Sequence, residues 1–330
     1  MSYPFFAGDG TRRDEAITLP RSRRINFLQP EHYRADPGLV DAVNVALLLG
    51  QPLLLTGEPG TGKTQLAYYL AWELGLGDVL KFETKSNSSA GSIFYTYDAL
   101  KRFQHAHANV ASESALPYIT FNALGKAILL TRDPDDVAPY LPPGFVHTGK
   151  KRSVVVIDEI DKAPRDFPND ILNELDQLYF RVAELDNEPI AADPDLRPVI
   201  VMTSNSEKDL PDAFLRRCIF YHIPFPELPQ MKQLVENRLG LYAGGSNVFL
   251  ADALELFYEL RKDSAGLRKK PATAELLDWL ATMIDASQGA ENPFAKTPAI
   301  ALQTMSCLAK TVDDQKEAAK IVGKWLSRRT

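Results

Sequence analysis

The stretch GEPGTGKT, residues 57–64, has the composition of a loop that binds phosphate groups. Its glycines allow backbone N–H groups to turn toward phosphate oxygens. Lys63 can reach the β- and γ-phosphates of a nucleotide, and Thr64 can offer a hydroxyl oxygen to Mg²⁺. The residues expected to contact the nucleotide are Gly57, Glu58, Pro59, Gly60, Thr61, Gly62, Lys63, Thr64 and Gln65. The pattern predicts binding of a nucleoside triphosphate together with magnesium.

Two adjacent carboxylates, Asp158 and Glu159, end an apolar run over residues 154–157. Such a run predicts a buried strand, and ligands of open parallel sheets bind at the carboxyl ends of the strands. There Asp158 would hold Mg²⁺ together with Thr64, and Glu159 would act as general base on the attacking water. By itself the pair is also compatible with an acidic turn in solvent. Together with the upstream loop, it predicts hydrolysis of the nucleotide.

Three further polar residues adjoin later strands. Asn205 ends the apolar run in RPVIVMTSN, where its amide could orient the attacking water or contact the γ-phosphate. A turn-forming asparagine is an equal interpretation, because asparagine is common after strands. Arg216 and Arg217 precede the run CIFYHIPF, and an arginine from a neighbouring subunit can neutralise charge on the γ-phosphoryl group. Surface charge or an internal ion pair is the alternative for both arginines.

The elements that must position these residues alternate along the chain. Strand patterns occur at 53–56, 79–84, 154–157, 197–205 and 218–225, and helical patterns occur at 39–50, 64–75, 97–110, 119–130 and 167–180. The glycine-rich loop therefore lies between a strand and a helix, which is the context that a phosphate loop requires. This alternation predicts an α/β fold with a parallel sheet covered on both faces.

The strand patterns end near residue 226, and the remaining segments show helical periodicity. We therefore predict three regions: an N-terminal arm over 1–37, an α/β nucleotide-binding core over 38–225, and a smaller all-α domain over 226–330.

Composition narrows the class of protein. The net charge of −6 argues against a nucleic-acid surface as the main partner. The two cysteines, Cys218 and Cys307, lie far apart and fit no metal-ligand spacing, which favours a reducing compartment. We recognise neither a signal-peptide pattern nor an apolar run of about 20 residues that could span a membrane. The composition predicts a cytoplasmic protein with no membrane association.

In their order, the motifs GEPGTGKT, VVVIDEID, MTSN and LPDAFLRRC, followed by a helical domain, resemble those of the AAA+ ATPases. More narrowly, the chain is similar to the MoxR-type branch, in the group with an insert in the second helix. The segments DPGLVDAVNVALLLGQPLLLTGEPGTGKT and DNEPIAADPDLRPVIVMTSN are typical of that branch. The resemblance covers roughly residues 35–330. It implies a ring, usually hexameric, that binds ATP and Mg²⁺ between neighbours and remodels or activates a client protein, in this branch often one with a von Willebrand A domain.

The resemblance also implies residue roles. Lys63 and Thr64 match the Walker A pair, Asp158 and Glu159 match the Walker B pair, and Asn205 matches the sensor-1 residue. Arg217 matches the arginine finger best, because family members commonly show Leu-x-Arg-Phe there. Arg216 is the alternative, and Cys218 replaces the usual phenylalanine.

The sensor-2 position departs from the family pattern, which places an arginine at the start of a helix in the C-terminal domain. Ala274 occupies the expected position here, shortly after the basic run that contains Arg268 and Lys270. Either of these could substitute, and we assign Arg268 to the nucleotide. A solvated basic turn is at least as good an interpretation.

Two segments match the insertions of the family. Residues 86–120 would contain the second-helix insert, where Phe94, Tyr95 and Tyr97 either contact a client in the ring pore or, as we favour, belong to the core. The segment FRVAELDNEPIAADPDLRP would form a hairpin with Asp186-Asn187-Glu188 at its tip.

Two other functions compete with an ATP-driven remodelling enzyme. One is a motor subunit associated with nucleic acid, of the restriction-complex or loader type, in which GTP can be the preferred nucleotide. The other is a scaffold that binds nucleotide without hydrolysing it. The acidic composition argues against the first, and the complete catalytic set argues against the second.

Overall fold

A computed structural model of the chain describes residues 30–108, 114–205, 210–239, 248–287 and 292–329. Residues 1–29 of the predicted N-terminal arm lie outside these ranges. The described residues form two compact units. An α/β unit comprises Tyr33–Glu58 and Gly62–Pro224, and a helical unit comprises residues 30–32, Pro59–Thr61 and the described residues from Phe225 onward.

The strands of the α/β unit are β1 (Leu53–Thr56), β2 (Leu80–Glu83), β3 (Tyr95–Tyr97), β4 (Ile119–Phe121), β5 (Val154–Asp158), β6 (Tyr179–Arg181), β7 (Pro189–Ala191), β8 (Val199–Thr203) and β9 (Ile219–His222). Its helices are α1 (Pro37–Leu49), α2 (Lys63–Glu73), α3 (Ala99–His107), α4 (Ala123–Leu130), α5 (Pro134–Val137), α6 (Phe167–Asp170), α7 (Leu172–Gln177) and α8 (Asp212–Leu215). The helical unit contains α9 (Leu228–Leu239), α10 (Val248–Arg261), α11 (Thr273–Ala286), α12 (Pro293–Lys296), α13 (Ile300–Gln303) and α14 (Val312–Ser327).

Five strands form one parallel sheet in the order β2–β5–β8–β1–β9. The register places Glu83 opposite Asp158, and Leu55 opposite Thr203. All five strands therefore end at the same edge of the sheet, where the glycine-rich loop follows β1. The predicted α/β fold, with a helical region after it, is confirmed.

At the central strands β1, β5 and β8, both faces of this sheet are buried, which explains the unbroken apolar runs of these strands. Val154 and Val156 pack in a cluster with residues of α1 and α2, whereas Val155 and Ile157 pack in a second cluster with residues of α4. These four side chains have no exposed surface. The strand β5 is thus held rigidly between two helical layers up to its last residue, Asp158.

Part of the predicted helix over 119–130 is wrong. Residues 119–121 form β4, which pairs antiparallel with β3, and the helix α4 begins only at Ala123. The Ile-Thr-Phe triplet alternates buried, exposed and buried side chains, as a strand does. Because the partner strand lies more than twenty residues away in sequence, local periodicity could not reveal the pairing.

The helix predicted over 167–180 is also shorter than expected. It is divided into α6 and α7, and its last residues, Tyr179 and Phe180, belong to β6. Leu178 ends α7 in the left-handed region, with φ of 48°. This conformation redirects the chain into the strand.

The predicted hairpin before β8 is confirmed. Strands β6 and β7 pair antiparallel, and Asp186 and Asn187 at the tip have φ of 23° and 55°. Phe180 of β6 stacks on Phe94 with ring centroids 5.3 Å apart and contacts Phe121 edge-on. Phe94 is 3% exposed, so its interpretation as a core residue is correct.

Gly125 in α4 allows the closest backbone approach in this aromatic region. A Cβ at this position would lie 2.1 Å from the carbonyl oxygen of Phe94. We expect Gly125→Ala to lower the free energy of unfolding of the α/β unit by about 3 kcal/mol. This value is at the upper end of the range for overpacked sites, because the backbone carbonyl of Phe94 cannot rotate away from an added methyl group as a side chain could. Chemical denaturation followed by circular dichroism measures this change.

The matched control is Gly91→Ala. Gly91 lies in the neighbouring 3-10 turn, Ala90–Ile93, with no atom within 4 Å of an added Cβ. Its substitution should change stability by less than about 0.5 kcal/mol. Equal stabilities for the two variants would show that α4 shifts without cost.

The helical unit has its own core, centred on Trp279 of α11. The indole of Trp279 is fully buried, and its Nε1–H donates to Thr304 Oγ1 at 3.0 Å. Phe294 and Trp325 extend the same cluster through edge-on ring contacts. Across the described ranges, the helices are too short or too polar to cross a membrane.

Candidate functional site

The loop over residues 57–64 has the backbone of an anion-binding turn. Gly57, Gly60 and Gly62 have φ of 142°, 81° and 90°, which residues with a side chain rarely adopt. The helix α2 begins immediately after Gly62, so its first N–H groups have no partner within the helix. The loop and the helix terminus together offer donors and partial positive charge to an anion.

The ammonium group of Lys63 lies against the backbone of this loop. The residue is 7% exposed, and its Nζ donates to the carbonyl oxygens of Gly57 at 2.8 Å and Glu58 at 3.0 Å. Burial lowers the pKa of the Lys63 ammonium, and attraction to Asp161 and Asp158 opposes that effect. The two carbonyl contacts fix the side chain inside the loop, where the predicted phosphate contact requires it.

Asp158 is surrounded by three donors at the carboxyl end of β5. Its Oδ1 accepts hydrogen bonds from Thr64 Oγ1 at 2.8 Å and Thr203 Oγ1 at 2.7 Å, and its Oδ2 pairs with Lys81 Nζ at 2.9 Å. Burial acts to raise the pKa of Asp158, but these three contacts outweigh it and hold the pKa below its usual value. The carboxyl group is therefore an oriented anion.

Thr64 and Asp158, predicted as magnesium ligands, thus meet in the structure. A hydroxyl oxygen and a carboxylate oxygen 2.8 Å apart are hard donors of the kind that Mg²⁺ prefers. Such sites typically use one or two carboxylates together with substrate phosphates and water. The two side chains fit a magnesium site at the mouth of the glycine-rich loop.

Two polar residues of this site escaped the sequence analysis. Thr203 ends β8, two positions before Asn205, and its polar side chain at the end of an apolar run could have identified it. Lys81 lies on β2, which pairs with β5. Only the strand order shows that Lys81 reaches Asp158, so no sequence pattern could have found it. Burial acts to lower the pKa of Lys81, but the hydrogen bonds to Glu83 and Asp158 and the attraction to both carboxylates outweigh it and raise the pKa.

Glu159 follows Asp158 in a left-handed conformation with φ of 56°, which is rare for a residue with a side chain. Its backbone N–H donates to Thr203 Oγ1 at 2.8 Å, which fixes this turn. The side chain is 40% exposed; its Oε1 accepts from Asn205 Nδ2 at 3.4 Å and its Oε2 pairs with Lys162. The structure therefore brings the predicted base and the predicted sensor residue, Asn205, into contact.

Arg216 and Arg217 lie far from this loop within the α/β unit. They precede β9, whose first residue, Ile219, is opposite Leu53 at the start of β1. The loop follows the end of β1, and the four residues of β1 span about 13 Å at the usual strand rise. The arginines are thus at the opposite edge of the sheet from their own loop. Arg217 Nε pairs with Asp176 at 3.2 Å, whereas Arg216 is exposed at the end of α8.

Arg268 belongs to the helical unit and lies in an exposed basic turn. Its side chain is 76% exposed and pairs with Asp313 at 3.6 Å. Its backbone N–H donates to the buried carboxylate of Asp314 at 2.8 Å. Lys270 pairs with Asp263 at 2.7 Å, and Ala274 is the second residue of α11. The sensor-2 role of Arg268 stays a prediction.

Residues 53–226, more than half of the chain, match the family described as "ATPase family associated with various cellular activities (AAA)". No curated protein sequence matches the chain at a significant level. The chain is similar to the RuvB Holliday junction branch migration motor of Thermotoga maritima, at 17% identity and a TM-score of 0.43, over 84% of this chain and 69% of that one.

It is also similar to the FIGL-1 AAA domain in complex with ADP, at 18% identity and a TM-score of 0.42, over 87% of this chain and 82% of that one. The family match contains the glycine-rich loop, the two carboxylates that end β5, Asn205 and both arginines. The chain therefore belongs to the AAA family of ATPases.

Proposed function

We propose that the protein is an ATP-hydrolysing ring ATPase of the MoxR-like type, which uses hydrolysis to remodel or activate a partner protein. The observation that carries this proposal is the convergence of four side chains at one sheet edge: Lys63 and Thr64 in the loop, and Asp158 and Glu159 at the end of β5. Family membership and the acidic composition of the chain support it.

In this proposal, ATP binds through its phosphates. The backbone N–H groups of the loop and the ammonium of Lys63 bind the phosphate oxygens, and the N-terminus of α2 adds partial positive charge. Thr64 and Asp158 would hold the magnesium ion, which would neutralise negative charge on the phosphate oxygens. Thr203 and Lys81 orient the Asp158 carboxylate through the contacts they already make.

Glu159 accepts a proton from the attacking water on its carboxylate, while Asn205 orients that water. Asn205 is exposed and the Glu159 side chain is 40% exposed at the carboxyl end of the sheet, where water can enter. The contact of Lys162 with Glu159 involves an exposed lysine, so it can be released at low cost. Catalysis then consists of positioning and electrostatics, as in phosphoryl transfer generally.

The proposed assembly is a homo-oligomeric ring, as the resemblance implies, with residues 38–225 as the motor core and 226–330 as the lid. Arg217 cannot reach its own loop across the sheet. If Arg217 takes part in hydrolysis, it must therefore contact the nucleotide bound by a neighbouring copy of the chain. The partner is a client protein in the cytoplasm, with a von Willebrand A domain as the candidate that the resemblance implies.

A phosphate-release assay on the purified chain tests this function. We expect magnesium-dependent release from ATP, with sedimentation showing a larger assembly when ATP is added. Parallel reactions with GTP and with single- or double-stranded DNA address the alternative functions. Strong stimulation by DNA at low salt would favour a nucleic-acid motor, and nucleotide binding without phosphate release would indicate a scaffold.

Lys63→Ala should weaken nucleotide binding. Hydrogen bonds to charged groups contribute about 1.5–3 kcal/mol, so we expect the dissociation constant to rise about 10- to 100-fold. Titration of a fluorescent ATP analogue, read by anisotropy, measures this constant. Lys320→Ala, which removes an exposed lysine that pairs with Glu317, is the control and should bind as the wild type does. Unchanged binding by Lys63→Ala would place the phosphates elsewhere.

A further inference from the structure

Arg217 forms an ion pair with Asp176 within the α/β unit. Arg217 uses its Nε, which lies 3.2 Å from Asp176 Oδ2, and the two side chains are 48% and 45% exposed. Among the described residues, Asp176 is the one acidic partner of Arg217. A guanidinium carries five N–H donors in a fixed fork, so an arginine that contacts one carboxylate oxygen through Nε keeps further donors for a phosphate group.

Asp176 itself is well anchored. It lies in the last turn of α7, and its neighbour Leu175 is buried in the core of the α/β unit. The backbone carbonyl of Asp176 also accepts a hydrogen bond from Arg197 Nη2 at 3.2 Å. The carboxylate is therefore presented from a fixed backbone, whereas the arginine side chain that it contacts is long and has many rotamers.

We propose that Asp176 is a positioning residue, which orients the Arg217 guanidinium for the phosphate site of a second copy of the chain. This inference rests on the proposed function and deepens it by naming the group that supports the arginine. An arginine side chain that no other residue restrains loses its rotamer freedom when it binds a phosphate group. A partner that already restrains the side chain reduces this loss of conformational entropy. The same contact selects Arg217 over Arg216 as the arginine used in the neighbouring site.

Mixed assemblies test this inference. One chain carries Glu159→Gln with Arg217 intact, and is the arginine donor. The other carries Arg217→Ala with Glu159 intact, and is the acceptor. Each chain alone should hydrolyse ATP very slowly, and the mixture should recover activity where an acceptor site meets a donor arginine.

Asp176→Asn is then introduced into one chain at a time. In the donor it should lower the kcat of the mixture by up to about 5-fold with KM unchanged, since an exposed ion pair restrains a side chain by no more than this factor. In the acceptor it should leave the recovered activity unaltered. Asp176→Glu in the donor keeps the charge and should restore most of the kcat.

The control is Asp136→Asn in the donor, which breaks another exposed Arg–Asp pair, with Arg132 at 3.3 Å, and should have no effect. Equal losses from Asp176→Asn in donor and acceptor would assign Asp176 a merely structural role and overturn the inference. An unchanged or increased kcat with Asp176→Asn in the donor would also overturn the inference, because Asp176 would then have no effect on Arg217 or would inhibit it. A mixture that recovers nothing while the wild type hydrolyses ATP overturns the inference but leaves the proposed function standing.

Discussion

Glu159→Gln is expected to lower the kcat for ATP hydrolysis about 100- to 10,000-fold, the usual contribution of a general base. The amide cannot accept the proton of the attacking water, although it has nearly the same shape as the carboxylate. Because Lys63, Thr64 and Asp158 are unchanged, nucleotide affinity should stay within a few-fold of the wild-type value. Steady-state phosphate release gives kcat, and anisotropy of a fluorescent ATP analogue gives the affinity.

The variant should also accumulate the ATP-bound assembly, because binding continues while hydrolysis stops. Sedimentation in ATP detects this, and affinity capture with the trapped assembly would retrieve its client. Glu317→Gln is the matched control, since Glu317 forms the same kind of i,i+3 pair with Lys320 that Glu159 forms with Lys162. Normal turnover by Glu159→Gln would exclude Glu159 as the base and contradict the assignment of this site.

Arg217→Ala is expected to reduce kcat by about 10³- to 10⁵-fold, the range known for arginines that stabilise charge on the transferred phosphoryl group. The position of Arg217 at the amino edge of the sheet means that the effect should arise in a neighbouring copy. Nucleotide affinity and stability should change little, since an exposed ion pair such as Arg217–Asp176 contributes only about 0.2–1 kcal/mol. Phosphate release and thermal melting measure the two properties separately.

Arg216→Ala provides the comparison at the adjacent position. Because the proposed function assigns the neighbouring site to Arg217, Arg216→Ala should leave kcat close to the wild-type value. Arg216 is exposed and has no acidic partner among the described residues, so its loss should change stability by less than about 0.5 kcal/mol. A larger loss with Arg216→Ala than with Arg217→Ala would transfer the role to Arg216. Activity of Arg217→Ala equal to that of the wild type would show that no neighbour uses this arginine.

Local sequence patterns were sufficient to locate those candidate site residues that lie together in short segments. The glycine-rich loop, the apolar run before Asp158 and the Asn205 position were all recognisable because each combines a strand end with polar residues in a fixed order. The strand and helix on either side of the loop occur where their periodicity predicts them. Local patterns were misleading at residues 119–121, whose strand depends on pairing with residues 95–97.

The sequence by itself determined the fold class, the loop and the carboxylate pair, because these follow from backbone preferences and hydrophobic periodicity over a few residues. Tertiary structure alone decided the surroundings of these groups. Strand order brings Lys81 and Thr203 to Asp158, and strand direction separates Arg217 from its own loop. Contacts of this kind join residues far apart in the chain, and their geometry is set by how the strands pair in the sheet, which no short window of sequence encodes.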